Sequence, residues 1–360
     1  MASPIPAPPG RRARGAWWAA ILSALIGAAL LIIAARDLEL SSIVNYFRLM
    51  DGGRLALALA AYAALFGIVH VIRMWRWAWL LRHLGDFSVG QVLRAAAVGF
   101  TAIILLPLRL GELVRPYMLS RETGCSMSAA LGTAVVERVI DGLFIALLLF
   151  ATLATYEGSG STVFAAALGY ACLGIFASAL VVLLLGIWRR EQTLGALERL
   201  LGLISAALAG KIVGLLRSFL DGVEGLREGR ALASFLGLTL AYWGINGLSI
   251  AFLGWFGFGL ALGPWAGMTV LAILVVGIMI PTGPGLAGNY ELFALEALGL
   301  FLPAEEVRVA GAAFVASMHA VQFVVQALPG LILLGWRRDS LLAMRREAQR
   351  AAADQARGPS

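Results

Sequence analysis

Long apolar runs recur along the whole chain, at residues 16–35, 55–72, 92–108, 129–155, 162–187, 231–258, 264–280 and 307–335. Most reach the ~20 residues that a helix needs to cross a bilayer. In hydrocarbon a backbone must satisfy its own polar groups, which leaves helices or a closed barrel. A barrel would show segments of about 10 residues with alternating polarity, and the runs lack that alternation. Over 360 residues, 60% are apolar and 14% charged, and the mean hydropathy is +0.86. The expectation is an all-α polytopic membrane protein.

Arginines set the expected topology. Arg11, Arg12 and Arg14 precede a first run longer than the 7–15 residues, roughly, of a cleaved signal core, so an uncleaved span is expected. Basic residues concentrate in the leader, at 73–121, at 189–230 and after 337, and the positive-inside rule places those segments in the cytoplasm, N-in and C-in. The segments 36–54, 156–161, 257–263 and 302–306 are poor in arginine and read as extracytoplasmic loops. Trp17, Trp18, Trp75, Trp77, Trp79, Trp188 and Trp336 fall at the predicted cytoplasmic ends, as belt tryptophans do. The net charge of +7 is spread along membrane edges with no nucleic-acid reader between, so anionic lipid headgroups rather than nucleic acid are the expected partners. Apolar residues at helical spacing over 194–226 predict an amphipathic helix on the cytoplasmic surface. The domain plan is then a basic leader (1–15), a transmembrane domain (16–336, including the amphipathic region 188–230) and a basic tail (337–360), with no segment the size of a soluble catalytic domain.

Parity refines the count. If 92–108 crossed fully, the arginine-rich segment after it would lie outside, so it is expected to turn back. The run beginning at 264, interrupted by PTGPGLAGN, predicts a second broken hairpin from the opposite face. About six full spans plus two re-entrant hairpins account for the eight hydrophobic segments, with irregular backbone at membrane depth lining a cavity or buried in protein. Two such hairpins are what inverted-repeat transporters use to build a midplane site.

Charge inside the membrane is expensive and marks function. Arg109, Glu112, Arg115, Arg121, Glu137, Arg138 and Asp141 crowd into one region of the chain. Pro107 suits the first position of a short helix on which Arg109, Glu112 and Arg115 share a face, and Pro116 disfavours helical geometry at Arg115 without ending the helix at once. A helix N-terminus there, flanked by a guanidinium, suits a phosphate. Glu137 and Asp141 share a face of the next span, Arg138 sits three residues before Asp141, and counting from Ser128 places them roughly 13–20 Å along the helix at ~1.5 Å per residue. Arg121 reads as a residue of the aqueous edge.

The second hairpin offers Pro281, Gly283, Pro284, Gly285 and Gly288, then Asn289 and Glu291 at the start of another helix, a second anion-facing N-terminus with Glu291 as a candidate cation or proton carrier. Against these readings, Arg109, Arg115 and Arg138 balanced by Glu112, Glu137, Asp141 and Glu291 could neutralise one another as structural glue. His70, His83 and His319 lack a second ligand at metal spacing and read as packing or interfacial residues. Cys125 and Cys172 are isolated, and no P-loop follows the glycines, so no metal and no cofactor is expected.

RLGELVR at 109–115, VVERVID at 135–141 and PxGPGxxGxxE at 281–291, in that order, resemble the transmembrane region of lysylphosphatidylglycerol synthases and their stand-alone flippase-like relatives. The resemblance implies an integral inner-membrane protein that moves a lipid between leaflets, with the first two motifs forming the deep polar site. It adds Gly111 to the substrate-binding candidates Arg109, Glu112, Arg115, Glu137, Arg138, Asp141, Pro284, Gly285, Gly288 and Glu291. The sequence given ends soon after its last apolar run, and aminoacylation of phosphatidylglycerol is not implied. The resulting expectation is a flippase or transporter for an anionic or phosphate-bearing lipid, with no catalytic residue assigned. Two alternatives remain: a membrane-embedded transferase using Glu112 or Asp141 as base on a polyprenyl-phosphate donor, and a non-transporting accessory subunit. Besides lipid, the expected partners are a second copy of the chain or lipid-synthesis enzymes.

Overall fold

The computed structural model describes residues 11–36, 38–106, 111–154, 163–203, 205–224, 229–280 and 282–357, and among these the regular structure is entirely helical. The chain runs through α1 (Arg11–Ala35), α2 (Leu40–Leu49), α3 (Gly52–Leu81), α4 (Val89–Leu105), α5 (Gly111–Thr123), α6 (Met127–Ala154), α7 (Val163–Trp188), α8 (Arg190–Gly202), α9 (Ala206–Val223), α10 (Gly229–Phe252), α11 (Pro264–Met279), α12 (Asn289–Leu298), the single turn α13 (Ala304–Glu306) and α14 (Ala312–Arg357). In its described residues, each of the eight apolar runs lies on a helix. Four continuous helical stretches, Gly52–Leu84, Ala165–Trp188, Gly229–Gly257 and Ala304–Gly335, are long and apolar enough to cross a membrane. A fifth would be Ile21–Ala35 joined to Leu40–Leu49 across a 70° bend. This is a multi-pass membrane protein. At 28 residues α6 has the length of a span, but Glu137, Arg138 and Asp141 near its middle set it apart in composition.

Two sequence expectations need correction. The segment 36–54 holds the short helix α2, anchored where the Tyr46 hydroxyl donates to the carbonyl of Phe258 at 2.5 Å. The region 194–226 is not one surface helix but the pair α8 and α9, broken after Gly202. These two run antiparallel around Leu194, Val213 and Leu220, and Arg190 bridges Asp221 (2.5 Å) and Glu224 (2.7 Å). Backbone contact between Gly132 and Gly222 then docks α9 on α6, so the apolar face that predicted a lipid surface is in part spent on protein.

Both broken hairpins form. A capping box between Ser88 and Gln91 starts α4, and α5 returns antiparallel along it, with Gly99 against Arg115 and Gly111 against Ile103. Any side chain at Gly111 would strike the backbone of Ala102 and Ile103, so glycine sets how closely these helices approach. Pro116 sits inside α5 without ending it. In the second hairpin α12 returns along α11, with Gly277 against the ring of Phe293 and the Asn289 amide donating to the carbonyls of Gly277 (3.0 Å) and Ile280 (2.9 Å). Pairing α11 and α12 through side-chain amides lets the polar backbone at the break satisfy itself inside an apolar core.

The long helices α3 and α10 run antiparallel, with Arg76 beside Thr239 at one end and Ala58 beside Gly257 at the other. The hairpins that follow them therefore start from opposite ends of the bundle. Packing is crosswise: α4 lies on α14 while α11 lies on α6. The two hairpin tips meet, bringing Ile103 and Ile104 of α4 to the same cavity as Gly285 and Leu286 of the second turn.

Candidate functional site

Arg76 organises the polar centre from α3. It is fully buried, with Nη1 donating to Asp141 Oδ1 (2.7 Å) and Thr239 Oγ1 (2.9 Å), and Nη2 to Asp141 Oδ2 (2.5 Å) and Glu137 Oε1 (3.1 Å). That is a bidentate fork on Asp141, the geometry a guanidinium favours with a carboxylate. Arg138 adds contacts to Glu137 Oε1 (2.9 Å) and Asp141 Oδ2 (3.3 Å). From α5, Arg115 Nη2 stands 2.7 Å from Glu137 Oε2 as an ion pair off the hydrogen-bond line, and its Nη1 has no acceptor. Its guanidinium lies over Trp77, 4.3 Å from the ring centroid. Trp77 is itself buried, its indole N–H donating to Thr133 Oγ1 at 2.9 Å, so it is a core residue and not part of the interfacial belt.

Three helices thus place three guanidiniums on two carboxylates. Glu112 lies within electrostatic reach of Arg115 and Arg138, and the three line a cavity of about 40 Å³ with Phe100, Ile103 and Val135. The sequence-predicted residues Gly111, Glu112, Arg115, Glu137, Arg138 and Asp141 are brought together here, while Arg121 is exposed on the far part of α5. Pro107, Arg109 and Pro281 lie outside the described residues.

Pro284, Gly285, Gly288 and Glu291 form a separate constellation at the second hairpin. Gly288, at φ +89°, packs on the carbonyl of Gly27 in α1, a backbone shape and a closeness that only glycine accepts. Glu291 pairs with His319 of α14 (Oε1 to Nδ1, 2.6 Å) and not with Arg115 or Arg138. Its other oxygen accepts the N–H of Gly288 at 2.7 Å, so the helix end expected to face an anion is capped by its own side chain. His319 Nε2 in turn meets the carbonyl of Gly285 at 2.8 Å, and the imidazole stacks on Tyr290 with centroids 4.0 Å apart. Carboxylate and carbonyl are both acceptors, and a neutral imidazole has one N–H. Both contacts are hydrogen bonds only when the Glu291–His319 pair holds one further proton.

Residues 20–330 match the lysylphosphatidylglycerol synthase TM region. The chain belongs to this family. No curated protein and no solved structure matches it. Family membership joins a membrane-embedded helical chain to lipid modification and transport.

Within this synthase-related scaffold, sequence reasoning missed Arg73, Arg76, Trp77 and His319. Arg73 and Arg76 open the basic segment 73–121 that the positive-inside rule assigns to the cytoplasm. Their i, i+3 spacing on a 30-residue apolar helix was the available signal, since it puts two cations on one face of a span. His319 gave none, as its partner lies 28 residues away.

Proposed function

We propose that the chain is a flippase-like lipid transporter of the inner membrane, N-in and C-in, that moves an anionic or phosphate-bearing lipid between leaflets, with the two hairpins re-entrant. One observation carries the reading: the Glu112–Arg115–Arg138 cavity beside the buried ion network, where Arg115 Nη1 has no acceptor and the Arg138 side chain is 24% exposed. A free guanidinium N–H at a cavity wall is a receptor for a phosphate oxygen, whereas a network serving only to glue helices would close all its donors. Antiparallel α3 and α10, with hairpins starting from opposite ends, support the inverted-repeat plan in which such a site lies near the bilayer midplane. The lipid phosphate would exchange the ion pairs of Arg138 for its own while the acyl chains stay in hydrocarbon.

The test is transport of a fluorescent short-chain phosphatidylglycerol in proteoliposomes. Arg138→Gln, which keeps the fold's volume and leaves Arg76 and Arg115 on their carboxylates, is expected to lower the rate at least tenfold at unchanged helix content. Full transport in that folded variant would remove the cavity from the mechanism.

A further inference from the structure

Arg73 is the charged group that the ion network leaves out. It sits one turn before Arg76 on α3, roughly 16 Å from Leu84 at ~1.5 Å per residue, and its guanidinium lies over the ring of Phe100, 4.1 Å from the centroid. Among the described residues it has no ion pair, and its Nε is buried with no acceptor. Arg115 approaches the same ring at 5.3 Å, so Phe100 of α4, which lines the Arg138 cavity, is shared by two guanidiniums, while Arg73 itself lines a second cavity.

The second cavity, about 70 Å³, lies where the two hairpin tips meet. Its polar wall includes Arg73, Tyr242, Asn246, Tyr290, His319 and Gln322, with Gln326 beside them. Two of these are buried with a poorly satisfied polar atom: Asn246 (5% exposed) has no partner for Oδ1, and the hydroxyl of Tyr290 (2% exposed) stands within reach of Gln322 without a well-formed hydrogen bond. Leaving such groups unpaired in a buried space is costly. Leu286 lines the same space at φ +60°, the one non-glycine residue in the left-handed region among the described residues, and backbone strain of this kind gathers at ligand sites. Three unsatisfied polar groups and one strained turn converge on one void.

We infer that this cavity is a second anion site, distinct from the Arg138 cavity, and that it takes one singly charged phosphodiester through Arg73. Charge decides the class. Arg73 is the one unbalanced charge on the wall, because His319 is matched by Glu291. A single negative charge neutralises it, whereas a phosphomonoester or diphosphate would leave surplus negative charge in a low-dielectric space. Asn246 and Tyr290 supply a hydrogen-bonding pair beside the phosphate for a hydroxyl of the headgroup, and Phe66, Ile104, Leu274 and Phe323 offer an apolar wall to the adjoining chain. The lipid identity of the anion's carrier rests on the transport reading above; the site itself rests on Arg73 and the idle polar atoms beside it.

Native mass spectrometry of the full chain with dioctanoyl phosphatidylglycerol tests this by stoichiometry. Wild type is expected to retain two lipids, and Arg73→Gln and Arg138→Gln one each, with the affinity of the lost equivalent reduced at least tenfold. Arg73→Lys and Asn246→Leu, which leave the ion network untouched, provide folded intermediates should Arg73→Gln not insert, each expected to weaken the same equivalent. Retention of both lipids by folded Arg73→Gln, or by both substitute variants, overturns the site. Displacement of the Arg73-dependent lipid by an equal concentration of inorganic phosphate overturns the lipid source, because a free anion would then suffice. Loss of that lipid in Arg73→Gln alongside a wild type that transports nothing would sink the transport reading and leave the site. Transport by wild type with Arg73→Gln binding both lipids does the reverse.

Discussion

The two hairpins share a backbone plan and solve the problem of buried charge in opposite ways. Around α4 and α5, three guanidiniums, which do not shed a proton in a protein, share two carboxylates: Arg76, Arg115 and Arg138 on Glu137 and Asp141. Around α11 and α12, one carboxylate meets one imidazole and one backbone N–H, with no guanidinium in the contact. The first hairpin is held by a network of several charges. The second is held by a single side chain, Glu291, reaching two neighbours.

The largest effect should come from unbalancing the first side. Glu137→Leu leaves Arg76 and Arg138 on Asp141 alone and takes from Arg115 the carboxylate it pairs with, and removing one partner of a buried ion pair costs about 3–5 kcal/mol. Thermal unfolding in detergent is expected to show that loss, and near-wild-type stability would mean the arginines find other partners. On the second side, Glu291→Ala removes the cap on Gly288 and the partner of His319. It is expected to cost less, about 1.5–3 kcal/mol as for hydrogen bonds to a charged group, because no buried guanidinium loses its carboxylate. Equal losses in the two variants would break the contrast. The smallest effect concerns packing. Gly111→Ala drives a methyl group into the backbone of α4, where overpacking costs about 1–3 kcal/mol. Gly277→Ala meets Cβ and Cγ of Phe293, the root of a side chain and not backbone, so its melting temperature should also fall, but less than that of Gly111→Ala.

Much of this was legible in the residues, for reasons that also mark where legibility stops. Apolar run length and backbone hydrogen bonding specify helices, and the described residues of all eight runs lie on helices. Local spacing joined Arg138 to Asp141, which pair at i, i+3 on α6. Arg76 meets Glu137 across 61 positions and Asp141 across 65, a distance no periodicity bridges. The tryptophan clusters misled because a tryptophan that anchors at a headgroup and one that roofs an arginine have the same flanking sequence; Trp77 and Trp75, two residues apart, are respectively fully buried and 42% exposed. The Glu291 motif was visible, but its role turned on His319, a residue without a motif.

The contact between α1 and the second turn has a mechanical consequence. Gly288 presses on the carbonyl of Gly27, and Gly283 sits against Ala24, so the first helix is keyed to the glycine turn by backbone shape and not by side chains that could repack. Any tilt of that hairpin has to carry α1 with it as a handle, and a probe attached to the outer surface of α1 would register the movement of a turn buried on the other side of the helix.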